Sequence, residues 1–293
     1  GIVTATNIFA DRYHGDQNNN FYAGPFSGSG AAGISSGATS NIAMGHSTGS
    51  NITSGGNNVL LGKCSGIKQT TAFSNVLIGS CVGRDLTTGG TNIGIGRKAL
   101  DGVITGTYNV AIGYRAGRSQ YSASLGVPDA TQNIAIGYDA GDTAIQGGQN
   151  QNIFLGFKAG DGLVQGVSTS TACTNNNDNI LIGSNVADSS YVCGLYCRNV
   201  LIGDRAGNSS IGVGVGCDYV NNVLLGTLAG KSYAGTCNIF IGAYAGCAAH
   251  SHIISRSTGI ANIGIGVSIQ MPNRFGSNQL AIGQTSQYWI TGD

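Results

Sequence analysis

The sequence predicts an all-β chain wound as a parallel β-solenoid, or β-roll, of about 14 coils with a base unit of about 17 residues. Three observations carry this. Among 293 residues there are 50 glycines, 27 asparagines, 3 prolines and no glutamate. A five-residue motif, Asn, then Ile or Val, any residue, Ile or Leu, then Gly, recurs along the chain. Its copies at Asn41, Asn58, Asn75, Asn92 and Asn109 are evenly spaced.

The composition excludes most other classes. A helical protein of this size would use many Glu, Lys, Gln and Arg residues, yet only 9% of this chain is charged. Collagen needs glycine at every third position and much more proline. Hydrophobic residues reach 41%, enough apolar surface for a core, which argues against disorder. The net charge of +1 gives no electrostatic case for nucleic acid or an anionic membrane. No apolar run approaches the roughly 18 to 20 residues of a membrane span. The chain opens at Gly1 rather than Met, without a basic, apolar leader, so a fragment or processed product is expected.

In chain order the motif begins at Asn41, Asn58, Asn75, Asn92, Asn109, Asn133, Asn152, Asn179, Asn199, Asn222, Asn238 and Asn262. Degenerate copies at Asn20 and Gln279 flank the series. Insertions lengthen the later coils, and the longest step runs from Asn152 to Asn179. Three segments follow: a linker at 1–19, the repeat domain with its insertion loops at 20–283, and a connector at 284–293. Each motif reads as one short strand closed by a glycine that permits a left-handed corner. Its Asn tolerates the same region and bonds nearby backbone. Stacking places these amides in a column where they can form a ladder.

The first and third strand residues, almost always Ile, Val or Leu, share one face by the period of two and are expected to form the core. The middle residues then face away. They read Ala43, Leu60, Leu77, Gly94, Ala111, Ala135, Phe154, Leu181, Leu201, Leu224, Phe240, Gly264 and Ala281, none polar. A sheet apolar on both faces is covered on both. Further copies of the chain, as in a homotrimer, would supply that cover; the chain's own return segments are the alternative.

The extended repeat N-[IV]-x-[IL]-G-x-x-A-G, complete at Ala116-Gly117, Ala140-Gly141, Ala159-Gly160, Ala206-Gly207, Ala229-Gly230 and Ala245-Gly246, resembles the head repeats of trimeric autotransporter adhesins. It is also similar to repeats in tail-fibre proteins of phages and other viruses. Residues 1–16 resemble linker segments of such fibres, and residues 280–293 the stretch before their C-terminal tip. The resemblance implies a homotrimeric, non-catalytic fibre or spike shaft that attaches a virus to its host. Its expected place is the virion, or else the cell surface. Partners would be its own copies, a host glycan or protein receptor, and other virion proteins, without nucleic acid or membrane insertion. The alternatives are a bacterial surface adhesin or filament and a glycan-cleaving tailspike.

A glycosidase needs paired carboxylates. Here Asp101, Asp142, Asp161 and Asp188 recur after the repeat corner, which reads as turn chemistry rather than an acid–base pair. No cofactor motif is present. The histidines of His250-Ser-His252 suit a first-row metal, and by resemblance to fibres with three converging H-x-H segments would take an axial iron. Cysteines stand at Cys64, Cys81, Cys173, Cys193, Cys197, Cys217, Cys237 and Cys247. Cys64 and Cys81 occupy equivalent positions in neighbouring coils, where disulfides or stacked thiols are expected. The long insertions, at 121–132, 165–178, 189–198, 208–220 and 247–261, form the candidate binding face. Tyr121, Tyr191, Tyr196, Arg198, Tyr219 and Arg256 are its candidate receptor anchors.

Overall fold

The computed structural model describes residues 13–15, 18–28, 37–118, 131–142, 150–161, 163, 177–188, 196–208, 219–247, 257–273, 275–285 and 287–292. They form two compact units, 1–133 with 145–147, and 134–144 with 148–293. No helix among the described residues is long and apolar enough to cross a membrane.

In the first unit β1 (Tyr13–Gly15) pairs antiparallel with β2 (Phe21–Ala23). Parallel strands follow in sequence order: β3 (Ile42–Met44), β4 (Val59–Leu61), β5 (Val76–Ile78), β6 (Ile93–Ile95) and β7 (Val110–Ile112). Register is motif on motif, as in Val59↔Val76, Leu60↔Leu77 and Leu61↔Ile78. The second unit repeats this with β8 (Ile134–Ile136), β9 (Ile153–Leu155), β10 (Ile180–Ile182), β12 (Val200–Ile202), β14 (Val223–Leu225), β16 (Ile239–Ile241), β18 (Ile263–Ile265) and β19 (Leu280–Gln284). Antiparallel β20 (Gln287–Gly292) closes it. The strands β11 (Tyr196–Cys197), β13 (Tyr219–Val220), β15 (Tyr233–Thr236) and β17 (Ser257–Thr258) form a small parallel sheet of return segments. The parallel solenoid is as expected, at about 10 turns rather than 14. Within the expected flanking segments, β1 lies in 1–19 and β20 in 284–293.

The two faces of the strand are the reverse of the sequence expectation. The middle residues, Leu60, Leu77, Phe154, Leu181 and Phe240 among them, are the buried core. The first and third residues point outward, with Ile42 41%, Met44 42% and Leu155 40% exposed. Period two fixes which residues share a face, not which face is inside. The repeat Asn decides that: it lies two residues before the middle position, so both face the same way, and it is buried.

Those asparagines form ladders. In the first unit Asn41, Asn58, Asn75, Asn92, Asn109 and Asn133 each donate from backbone N–H and from Nδ2 to Oδ1 of the preceding Asn, at 2.8–3.2 Å. A second Nδ2 proton goes to a carbonyl of the coil wall, as from Asn75 to Gly89 at 2.9 Å. The second unit continues the pattern through Asn179, Asn199, Asn222 and Asn238. The degenerate ends take part too: Asn20 accepts from Asn41, and Gln279 donates to Oδ1 of Asn262. The amides of the column thus replace their lost water contacts, as burial demands.

Backbone bonds between coils explain the corners. The motif glycine has φ of +120° at Gly62, and a Cβ there would stand 2.4 Å from the carbonyl oxygen of Gly79. No other residue fits that column. The left-handed residue near the Asn is the one before it, not the Asn itself: Ser40, Asn57, Ser74, Thr91 and Tyr108 have φ between 55° and 59°. Six positions after each Asn lies another, as at Ser47, Cys64, Cys81, Lys98 and Arg115. Each spends its N–H on the coil before, Cys64 to His46 O and Cys81 to Lys63 O at 2.9 Å.

Candidate functional site

Because core and backbone are so regular, chemistry is left to two surfaces, the outward strand face and the turns. The outward face of β3 to β7 carries Ile42, Met44, Val59, Leu61, Val76, Ile78, Ile93, Ile95, Val110 and Ile112, all half-exposed or exposed. It holds no charge. The same holds for β8 to β18 along the main sheet of the second unit, where Ile134, Leu155, Ile202, Ile241, Ile263 and Ile265 are 37–40% exposed.

The turns carry nearly all the charge, and it is segregated. Residues 58–118 hold Lys63, Lys68, Arg84, Arg97, Lys98, Arg115 and Arg118 against only Asp85 and Asp101. Residues 133–188 hold Asp139, Asp142, Asp161, Asp178 and Asp188 against only Lys158. The net charge of +1 hides both tracts.

In the basic tract the two carboxylates are engaged. Lys68 Nζ lies 2.6 Å from Asp85 Oδ1 and Arg84 Nη2 3.0 Å from Asp85 Oδ2. Burial works to raise the Asp85 carboxyl, but these two bonds overcome it and hold it below the usual range. Arg84 Nε reaches Asp101 Oδ1 at 3.1 Å, where burial outweighs that cation and raises the carboxyl. Lys63 and Arg97 are exposed and form no ion pair among the described residues. The Tyr114 ring has two guanidinium carbons, of Arg97 and Arg115, each 5.7 Å from its centre. That distance is within cation–π range.

In the acidic tract Asp142, Asp161 and Asp188 occupy equivalent turn positions. Each donates its backbone N–H to the carbonyl three residues back, at 3.2–3.4 Å. Burial, then the charge of Asp142, pushes the Asp161 carboxyl up to about 6, although Lys158 Nζ lies 3.4 Å away. Beside them Tyr138 and Phe157 stack with centroids 5.4 Å apart.

Of the receptor candidates, Tyr121, Tyr191 and Arg256 lie outside the described residues, as do His250, His252, Cys173, Cys193 and Cys217. Tyr196 and Tyr219 stand opposite each other in β11 and β13. Arg198 is exposed and donates its N–H to Asn177 O at 2.9 Å. Cys197 is disulfide-bonded. Cys64, Cys81, Cys237 and Cys247 are not disulfide-bonded, so for these four the disulfide alternative does not hold. Equivalent side chains in stacked coils leave the backbone in parallel, so proximity alone does not aim one sulfur at the next. Burial raises the Cys247 thiol.

The basic tract is what the sequence reading missed. Aligning the coils on their Asn would have exposed it: counted from Asn58, Asn75, Asn92 and Asn109, the fifth residue reads Lys63, Ser80, Arg97 and Tyr114. No family model, curated protein or solved structure matches the chain.

Proposed function

We propose that the chain is the non-catalytic shaft of a viral fibre or spike, a homotrimer that carries attachment to the host cell surface. The outward strand face carries this reading. At roughly 50 Å² of apolar surface per residue, the ten outward positions of β3 to β7 offer about 500 Å², and the fourteen from β8 to β18 along the main sheet about 700 Å². Each alone exceeds the few hundred Å² of contiguous apolar surface that a monomer ordinarily exposes. A protein in water does not keep such a surface bare without a partner. The same repeat in every coil means parallel copies in register present matching stripes along their length. The reasoning for self-association thus survives the reversal of faces, with Ile93 and its fellows in the role first given to Gly94 and its fellows.

A shaft needs resistance to unwinding rather than a cleft. The Asn ladders, the shared glycine corners and a buried interface all supply it. The acidic residues serve as turn residues, which fits a protein without catalysis. Light scattering on the purified chain tests the reading. One chain has a mass of 29.6 kDa, and a value near three times that, with and without reductant, is expected. A monomer at micromolar concentration would refute it.

A further inference from the structure

We infer that the basic tract of the first unit is a docking surface for an acidic polysaccharide, one carrying carboxylate or sulfate groups at regular intervals. The inference rests on the attachment reading above and gives that attachment a ligand class. Its first ground is the imbalance of charge. Residues 58–118 carry seven cations and two carboxylates in a chain whose net charge is only +1. Both carboxylates are held by Arg84 and Lys68. Lys63 and Arg97 stay exposed without an ion pair among the described residues.

Arrangement is the second ground. Lys63 and Arg97 occupy the same turn position two coils apart, which places them roughly 10 Å apart at ~4.8 Å per coil. Arg97 and Arg115 converge on the Tyr114 ring at 5.7 Å each. Arg97 is exposed and still presents its N–H donors to a carboxylate or sulfate oxygen. Cations held at fixed intervals on a rigid wall match a polymer that repeats its anion at fixed intervals. The backbone beneath them loses little entropy on binding, since the turns are already ordered.

Nucleic acid is the weaker occupant. Single strands bind through exposed aromatic faces on which bases stack, as well as through phosphate. The Tyr114 ring is already flanked by guanidiniums.

The test is fluorescence anisotropy of the full chain with labelled heparin oligosaccharide, polygalacturonate, neutral dextran and oligo-deoxythymidine, over a salt series. Light scattering on the same samples reports assembly. Binding of a sulfated or carboxylated polymer, but not dextran, is expected. In the double variant Lys63→Gln/Arg97→Gln the slope of log affinity against log salt should shrink by about 1.4, near 0.7 for each cation removed. Lys231→Gln, in the second unit, should leave it unchanged. The heparin and polygalacturonate arms separate sulfate from carboxylate recognition. A trimer that binds neither polymer overturns the inference and leaves the shaft standing. Unchanged binding by the double variant, or equally tight binding of oligo-deoxythymidine at equal charge, also overturns it. A monomer that binds and loses binding on substitution keeps the surface and overturns only the shaft.

Discussion

Gln69 breaks the rule of the core, and replacing it should stabilise the protein. Counted from its repeat Asn58, it takes the place held in neighbouring coils by Ile52, Leu86 and Val103, and all four are buried. Its Oε1 and Nε2 are both buried without a hydrogen-bond partner. A carboxamide taken from water without replacement bonds costs roughly 1–3 kcal/mol by mutational measures. Gln69→Leu removes that cost and puts a branched apolar side chain between Ile52 and Leu86. It also shortens the side chain by about one heavy atom, and a methyl-sized gap costs ~1 kcal/mol. The net gain is therefore up to about 2 kcal/mol. Stacked repeats need not unfold in one step, so the readout must be local. Native-state hydrogen exchange of the amides of Thr70, Val76 and Thr87 reports it, since each donates to a neighbouring coil at 2.8–2.9 Å. Slower exchange there, by up to about thirtyfold, is the expected result. Faster exchange would refute the reasoning, because the amide would then have been satisfied in solution, by a trapped water for instance.

Further outcomes follow from the same geometry. Asn75→Ala removes the acceptor for two donors of Asn92 and the donors to Asn58 and Gly89. With several buried groups orphaned it should cost ~3 kcal/mol or more, while Asn51→Ala, at an exposed position, should be near neutral; urea titration distinguishes them. Ile93→Lys, on the outward face at 39% exposure, should leave circular dichroism unchanged but, if the proposed trimer forms through that face, lower the scattering mass to that of one chain. For Asp161 the folded carboxyl titrates near 6, above its ordinary 3.8. A raised acid binds its proton more tightly when folded, so stability rises as pH falls through 6 and the gain is complete below 3.8. About two pH units amount to at most ~3 kcal/mol; Asp161→Asn should remove that pH dependence from thermal unfolding. In coil 92 a glycine replaces the core leucine, and Val82, Leu77 and left-handed Leu100 (φ 54°) fill the space, with Cγ1, Cδ2 and Cδ1 at 2.6, 3.0 and 3.3 Å from where a Gly94 Cβ would stand. Leu100→Gly should cost ~2–4 kcal/mol as a cavity, less about 1 for relieved strain, read by urea titration.

Much of the fold was legible because a solenoid writes its backbone into its sequence. The glycine at Gly62 and the amide at Asn58 answer to fixed contacts with the neighbouring coil, so they recur and can be read. What misled was the weight given to Ile and Val over Asn when choosing the inner face. The amide ladder already implied a buried Asn, and a buried Asn58 requires a buried Leu60 by period two. The left-handed positions six after each Asn were not legible. Ser47, Cys64, Lys98, Arg115 and Tyr244 share a conformation but no chemistry. Hydrogen bonds between coils impose that conformation whatever the side chain, at roughly 1–2 kcal/mol each. The basic tract escaped because charge was summed along the chain instead of down the columns.

That last point bears on where function can reside in such a chain. Positions whose backbone touches the next coil are fixed: Gly62 cannot gain a Cβ, and Asn75 cannot lose its amide without orphaning its neighbours. Core positions vary only in concert, as Gly94 does with Leu100. The left-handed turn sites are the reverse case. Their backbone is held by bonds such as Lys98 N–H to Ser80 O at 3.0 Å, and their side chains leave the wall. Where the side chain reaches solvent, as at Ser47, Cys64, Lys98 and Lys158, it can therefore change at little cost to the fold, whereas Asp139 is buried. Recognition can change sign from one stretch of wall to the next while the winding stays the same. The opposite charges of residues 58–118 and 133–188 are the mark of that freedom, and a surface able to vary so cheaply is where specificity for a receptor should lie.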